Sequence, residues 1–287
     1  MRYADRQGNR YGETTLQDRF LKTLYESAWG RTILKLLVCP AVSKAGGAML
    51  NSPLSKLLIC PFVKKHGIDL SACEKQEFTS YNDFFMRKMK PEAHPVDGQP
   101  EHLIAPCDSR LTVCQIERDT AFYIKHTEYT LYSLLRDRRL VEKYTGGQAL
   151  VFRLTVEDYH RYCYVDNGKK THNRKLKGIL HTVNPAANDV YPIYKENARE
   201  YSILRSEHFG DILTMEVGAL MVGKIVNEHE RAYVQRGQEK EHFEFGGSTV
   251  ILLLEPGKAV LDRDILIHSQ MGYETFVHMG ERIGKRP

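Results

Sequence analysis

Residues 245–254, Phe-Gly-Gly-Ser-Thr-Val-Ile-Leu-Leu-Leu, constrain the fold more than any other stretch of the chain. The apolar run Val250–Leu254 has no polar face, so a strand here must be covered on both sides. Two glycines directly before it give the backbone freedom closed to other residues. Ser248 therefore sits at a joint between a free turn and a fixed strand. That placement suits attack by the serine hydroxyl on the carbonyl before it, that of Gly247. It also suits a plain hairpin turn with a solvent-facing serine, a common use of Gly-Gly-Ser.

Other stretches extend the pattern. Residues 149–156, 175–183, 211–217 and 219–226 are rich in Val, Ile, Leu and Thr and predict strands. Turn residues separate them at Asp166-Asn167-Gly168, Asn184-Pro185, Gly246-Gly247 and Pro256-Gly257. Upstream, residues 21–38 space their apolar positions as a helix does, and residues 55–65 form a shorter apolar and basic piece. The fold class is α+β. A helical region over residues 1–95 packs on a β-rich core of mostly antiparallel sheets over 96–287, with residues 263–287 as a short tail.

Charge and cysteine usage narrow the function. The net charge of +5 fits an anionic partner surface. No zinc-finger spacing or RNA-binding aromatic signature accompanies it, so no nucleic-acid partner is expected. The six cysteines form no CxxC pair, which predicts neither disulfides nor a metal site and fits a reducing compartment. The N-terminus lacks the apolar core of a signal peptide. No apolar run reaches the roughly 18 residues that a membrane-spanning helix requires. Residues 1–70 carry an excess of Lys and Arg over Asp and Glu. They read as ordinary helices on a core, or as an amphipathic basic surface resting on anionic lipid.

Two further segments carry groups suited to proton transfer. Val156–Gly168 contains His160, and histidine is the usual proton carrier near neutral pH. Asp158 and Arg161 beside it read as a solvated pair. In Ala105–Leu111, Asp108 precedes a strand, where an Asp either caps its own backbone or orients a base.

In series, these motifs resemble the phosphatidylserine decarboxylase family from about residue 15 to 285. Tyr81-Asn-Asp-Phe-Phe-Met-Arg-Lys-Met-Lys-Pro91 is similar to the family's aromatic and basic motif. Pro106-Cys-Asp-Ser-Arg110 resembles Pro-x-Asp-Gly-Arg, with Ser109 where glycine is usual. Asp158-Tyr-His-Arg161 matches Asp-Tyr-His-Arg. Val183-Asn-Pro-Ala186, Asn197-Ala-Arg-Glu200 and Val217-Gly-Ala219 with Val222-Gly223 follow in order, and Phe245-Gly-Gly-Ser-Thr249 resembles the cleavage site.

The resemblance implies a proenzyme. Ser248 would attack the Gly247 carbonyl and the chain would divide into a β chain of residues 1–247 and an α chain of residues 248–287. The new N-terminus would become a covalent pyruvoyl cofactor, a ketone able to hold the electron pair released when carbon dioxide leaves an amino acid. The substrate would be phosphatidylserine and the product phosphatidylethanolamine. The protein would lie on the cytoplasmic side of the cell membrane as a peripheral protein, its two chains held together, with a homodimer left open. Asp108 matches the acid of the self-cleavage set, and His160 the first histidine of the Tyr-His-Arg motif.

One position departs from the pattern. Many members carry a second histidine three residues after the first, and here Cys163 stands there. His160 takes over, or Asp108 activates Ser248 directly, or Cys163 works as a thiolate, or self-cleavage is slow or lost. The last case gives an alternative function, a non-cleaving member that binds phospholipid headgroups. An unrelated serine hydrolase is a third reading, against which stands the absence of a GxSxG elbow. The other eleven histidines, among them His172, His181 and His242, match no motif.

Overall fold

The computed structural model describes residues 2–12, 40–117, 121–124, 127–178, 193–218, 225–227, 230–243 and 248–287. The expected helix at 21–38, the motifs at 183–186 and 222–223, His181, and residues 244–247 with Gly247 lie outside these, as does the side chain of Ser248.

The centre is an eleven-stranded sheet. Its order is Ala232–Val234, Gly168–Lys170, Arg199–Ser206, Gly210–Val217, Ser248–Leu254, Gln148–Leu154, Ser109–Gln115, Glu274–Val277, Arg2–Ala4 and Arg10–Gly12, with Arg174–Leu176 also on Arg199–Ser206. Among the described strands of this sheet all pairings are antiparallel except that of Arg2–Ala4 with Glu274–Val277. The α+β architecture and the mostly antiparallel sheet follow the expectation.

Ser248–Leu254 lies in the middle of this sheet, bonded on both sides. Ile251 and Leu253 enter a core with Leu131, Leu134, Tyr144, Val151 and Met215. Val250, Leu252 and Leu254 enter the opposite core with Leu111, Phe152, Tyr162 and Phe243. Burial on both faces is the reason for the unbroken apolar run. A smaller sheet, Ile225–Asn227, Glu239–Phe243 and Arg161–Cys163, covers the second core.

The upstream region is helical over Pro40–Leu50, Ile59–His66 and Tyr81–Phe85, with a 3₁₀ turn at Pro53–Leu58. These form a satellite core of Leu50, Phe78, Tyr81 and Phe84, packed by Phe62 and Val63. Two readings need correction. Residues 2–4 and 10–12 are strands, not helices: they close on each other through the Asp5–Asn9 turn and stack Tyr3 on Tyr11 at 5.1 Å. The C-terminal segment is no tail either. Arg263–Gln270 is a helix, Glu274–Val277 an inner strand of the main sheet, and Arg282–Lys285 the middle strand of another small sheet.

Candidate active site

Register brings Ser248 and Asp108 to one end of the main sheet. Ser248 pairs with Leu154, and the next residues along, Arg153 and Arg110, pair on the other side. Ser109 in turn pairs with Val277. Strands starting at Ser248 and Ser109 thus open beside strands ending at Leu154 and Val277. Adjacent strands lie about 4.8 Å apart, so the backbones of Ser248 and Ser109 are separated by roughly two such spacings. Asp108 lies one residue beyond, at the mouth of its strand.

Asp108 is held from three directions. Oδ1 accepts the Met279 backbone N–H at 2.8 Å. Oδ2 lies 3.0 Å from His94 Nε2, and His278 Nδ1 stands 3.8 Å from Oδ1. Burial alone would raise the carboxyl's pKa. The pull of His278 and His94, with the Met279 bond, outweighs it and holds the group well below the usual carboxylate range. An ionised carboxylate only accepts hydrogen bonds, so His94 Nε2 carries the proton. The same contact raises His278 above its ordinary value.

His160 is fully buried against the Phe85 ring, 3.9 Å between centroids. Its Nδ1 lies 2.9 Å from the Asp158 carbonyl, which can only accept, so Nδ1 carries the hydrogen. Burial, helped by the Arg87 guanidinium, pushes the ring down to about 3. At neutral pH Nε2 is a bare, buried nitrogen without a hydrogen-bond partner among the described residues. Arg87 donates to the carbonyls of Glu157 and Asp158, and Arg161 to that of Met86. The aromatic and basic Tyr81–Pro91 motif is therefore the seat of the His160 segment.

The expected Asp158–Arg161 pair does not form. Asp158 is buried and binds Arg110 at 2.8 Å and the Thr155 N–H at 2.6 Å, while Arg161 pairs with Glu239. A buried carboxylate needs such partners, which the strand-end arginine supplies. Cys163 is buried, its N–H on the Pro106 carbonyl and its sulfur 3.9 Å from the Ala105 oxygen. Burial pushes the thiol up to about 12, so at neutral pH it is a thiol and not a thiolate. His160 and Asp108 share no hydrogen bond; the histidines that face Asp108 are His94, at 3.0 Å, and His278, at 3.8 Å, neither of which a sequence motif had marked.

A cavity of about 410 Å³ opens beside this site, lined by Lys88, Lys90, His94, Tyr159, Arg161 and Cys163. His94 and Met279 separate it from a second hollow. Among the described residues no cluster of three or more His, Cys, Asp or Glu is arranged to hold a metal ion.

Comparison with known proteins agrees with the motifs. The phosphatidylserine decarboxylase family profile matches residues 81–285. A phosphatidylserine decarboxylase proenzyme 2 from Clostridium acetobutylicum is 42% identical over 96% of this chain and 94% of its own length. Proteins named phosphatidylserine decarboxylase proenzyme from Desulfitobacterium hafniense and Clostridium perfringens are 40% and 39% identical, over 100% and 93% of this chain and 98% and 93% of their own lengths.

Proposed function

The chain belongs to the phosphatidylserine decarboxylase family, and from that premise we propose that it divides itself between Gly247 and Ser248 and then converts phosphatidylserine to phosphatidylethanolamine and carbon dioxide. The reading is supported by a fixed, ionised Asp108 just before the strand that opens at the Ser248 end of the sheet, and by a buried, unprotonated ring nitrogen on His160.

The pyruvoyl group derived from Ser248 supplies the ketone that takes up the electron pair left by departing carbon dioxide. The site fits such a group, because the orphaned His160 Nε2 is a buried polar atom in need of a partner. That nitrogen can accept a proton and return it, and its depressed pKa keeps it free of a resident one at pH 7. Asp108 fixes the loop after Val277 through Met279. Phe85, Tyr159 and the Leu154 end of the neighbouring strand help to exclude water from the sheet end.

The substrate headgroup reaches this end through the 410 Å³ cavity, where Lys88 and Lys90 present charge suited to a phosphodiester. Among the described residues no helix is long and apolar enough to cross a membrane. We assign residues 40–66 as the face on an anionic bilayer at the cytoplasmic side: Met49, Leu54 and Leu57 are exposed, and Lys56, Lys64 and Lys65 lie among them. After the cut the α chain stays in place, since Ser248–Leu254, Glu274–Val277 and Arg282–Lys285 are inner strands of two sheets.

Intact-mass measurement under denaturing conditions tests the reading. Two species are expected, the smaller spanning residues 248–287 and lighter than its serine form by ammonia. Ser248→Ala should remain whole and inactive. A wild-type chain that stays single after prolonged incubation overturns self-cleavage and leaves the headgroup-binding alternative.

A further inference from the structure

We infer that His94, rather than His160 or Cys163, is the histidine that works with Asp108 when the chain divides itself. The inference rests on the self-cleaving function proposed above. His94 Nε2 is bonded to Asp108 at 3.0 Å. In the neutral ring Nδ1 is then the basic nitrogen, and it is buried without a hydrogen-bond partner among the described residues. One ring nitrogen on a carboxylate and the other bare is the arrangement that lets an imidazole take a proton from a hydroxyl.

The ring is fixed rather than free. It stacks on Tyr159 with centroids 4.8 Å apart and planes 17° from parallel, and its side chain is 9% exposed. The segment that carries it is clamped to the loop that also holds Asp108. Asp97 donates to the Gly280 carbonyl, Gly280 donates to the Ala105 carbonyl, and Met279 donates to Asp108. Gly280 has φ +82°, and a Cβ there would meet the Pro95 oxygen at 2.8 Å. His94, Asp108 and the 278–280 loop are thus one packed unit.

The two other candidates are committed elsewhere. His160 is oriented by the Asp158 carbonyl, not by Asp108. Cys163 lines the same cavity as His94 but remains a protonated thiol. His94 therefore supplies, from another element, the imidazole that position 163 lacks.

The step balances with no added reactant but water. The Ser248 hydroxyl proton moves to His94 Nδ1 while the oxygen bonds to the Gly247 carbonyl carbon. The peptide C–N bond then breaks, and the departing nitrogen takes the proton back from Nδ1, leaving an ester that still joins the two halves. Loss of the Ser248 Cα proton then expels the Gly247 carboxylate and divides the chain, and water releases ammonia from the dehydroalanine left at residue 248. Asp108 stays ionised throughout and steadies the imidazolium through Nε2–H.

The test follows cleavage of freshly translated full-length chain on denaturing gels and by intact mass. His94→Gln can still donate to Asp108 but offers no base, and should slow the cut by at least about a hundredfold. His94→Phe keeps an aromatic ring on Tyr159 and should be equally slow while melting at a temperature near that of wild type. His94→Ala should regain cleavage when imidazole is added, which a packing role alone does not predict. Cleavage of His94→Gln or His94→Phe at the wild-type rate overturns the assignment, and so does a His94→Ala chain that imidazole leaves unrescued. If wild type cuts in those same experiments, only His94 loses its role; if wild type never cuts, the self-cleaving function itself falls.

Discussion

Arg153 and Glu274 form a buried two-bond ion pair, Nε to Oε1 at 3.0 Å and Nη2 to Oε2 at 2.5 Å, across the strand that lies between theirs. Both side chains are at most 5% exposed. Arg153 belongs to the proposed β chain and Glu274 to the α chain, so the pair ties together the two products of the cut.

Removing one partner strands the other charge out of water. Glu274→Ala should therefore cost about 3–5 kcal/mol, read as a fall in the urea midpoint of the uncut Ser248→Ala background. In the cut enzyme the same change should let the α chain dissociate at lower urea than the β chain needs to unfold. Equal midpoints for Glu274→Ala and its parent would show that the pair contributes nothing net.

Acid stability should report the state of His160. Its folded pKa is near 3, against about 6.5 in an unfolded chain. Between those values the unfolded chain binds a proton that the folded one refuses. Stability is then fully present above about pH 6.5 and falls as pH drops, by up to about 1.4 kcal/mol per unit. Asp108 adds a loss in the same direction below about pH 4, since its folded pKa is depressed. His278 opposes weakly: its raised pKa favours the fold at low pH, and this is lost as pH rises through the folded value, but the side chain is 62% exposed. Buried Asp158, raised to about 6, opposes over the same range, so His160→Phe should make the urea midpoint rise less with pH between 4.5 and 6.5. Parallel slopes for variant and parent would mean that His160 already carries a proton in the folded state.

What could be read from the sequence follows from how local each signal is. Val250–Leu254 announces a doubly covered strand because every residue in it is apolar. Asp108 and His160 sit at strand ends that composition marks. His94 escapes notice because its contact is purely tertiary: it follows a 3₁₀ turn at Pro91–Ala93 and bonds Asp108, fourteen residues on, which the 278–280 loop also holds. Glu274–Val277 escapes for a related reason. A four-residue strand starting with Glu reads as surface, and the arginine that pairs with the buried carboxylate, Arg153, is far away in sequence. Arg2–Ala4 is too short for any periodicity, and its anchor is Arg6, paired with Asp262, Asp264 and Glu281 near the other end of the chain.

Gly280 offers a second approach to the His94 unit. Alanine there must adopt a left-handed backbone and push its Cβ against the Pro95 oxygen and Val96 Cα, at 2.8 and 3.0 Å. The variant should lose at least about 1 kcal/mol of stability. Because the displaced segment carries His94, cleavage should slow by more than that loss explains. Gly257→Ala is the control: its φ is +68° but nothing stands within 4 Å of the added Cβ. It should show a comparable backbone penalty with cleavage unchanged. Equal cleavage rates in both variants would separate the 280 loop from the self-cleavage apparatus.

The surface over residues 49–65 should govern how the protein meets lipid. Leu54 and Leu57 are each 79% exposed and Met49 61%, so their side chains contribute little to the folded core. Burying a leucine in an apolar phase is worth roughly 1.5–3 kcal/mol. Leu54→Gln with Leu57→Gln should therefore weaken binding to anionic phospholipid vesicles at least tenfold, with the melting temperature unmoved. Lys64→Gln with Lys65→Gln should weaken it mainly at low salt, since screening already removes that attraction at high salt. Sedimentation with vesicles at two salt concentrations separates the contributions. Unaltered sedimentation of both double variants would move the lipid-facing surface elsewhere on the molecule.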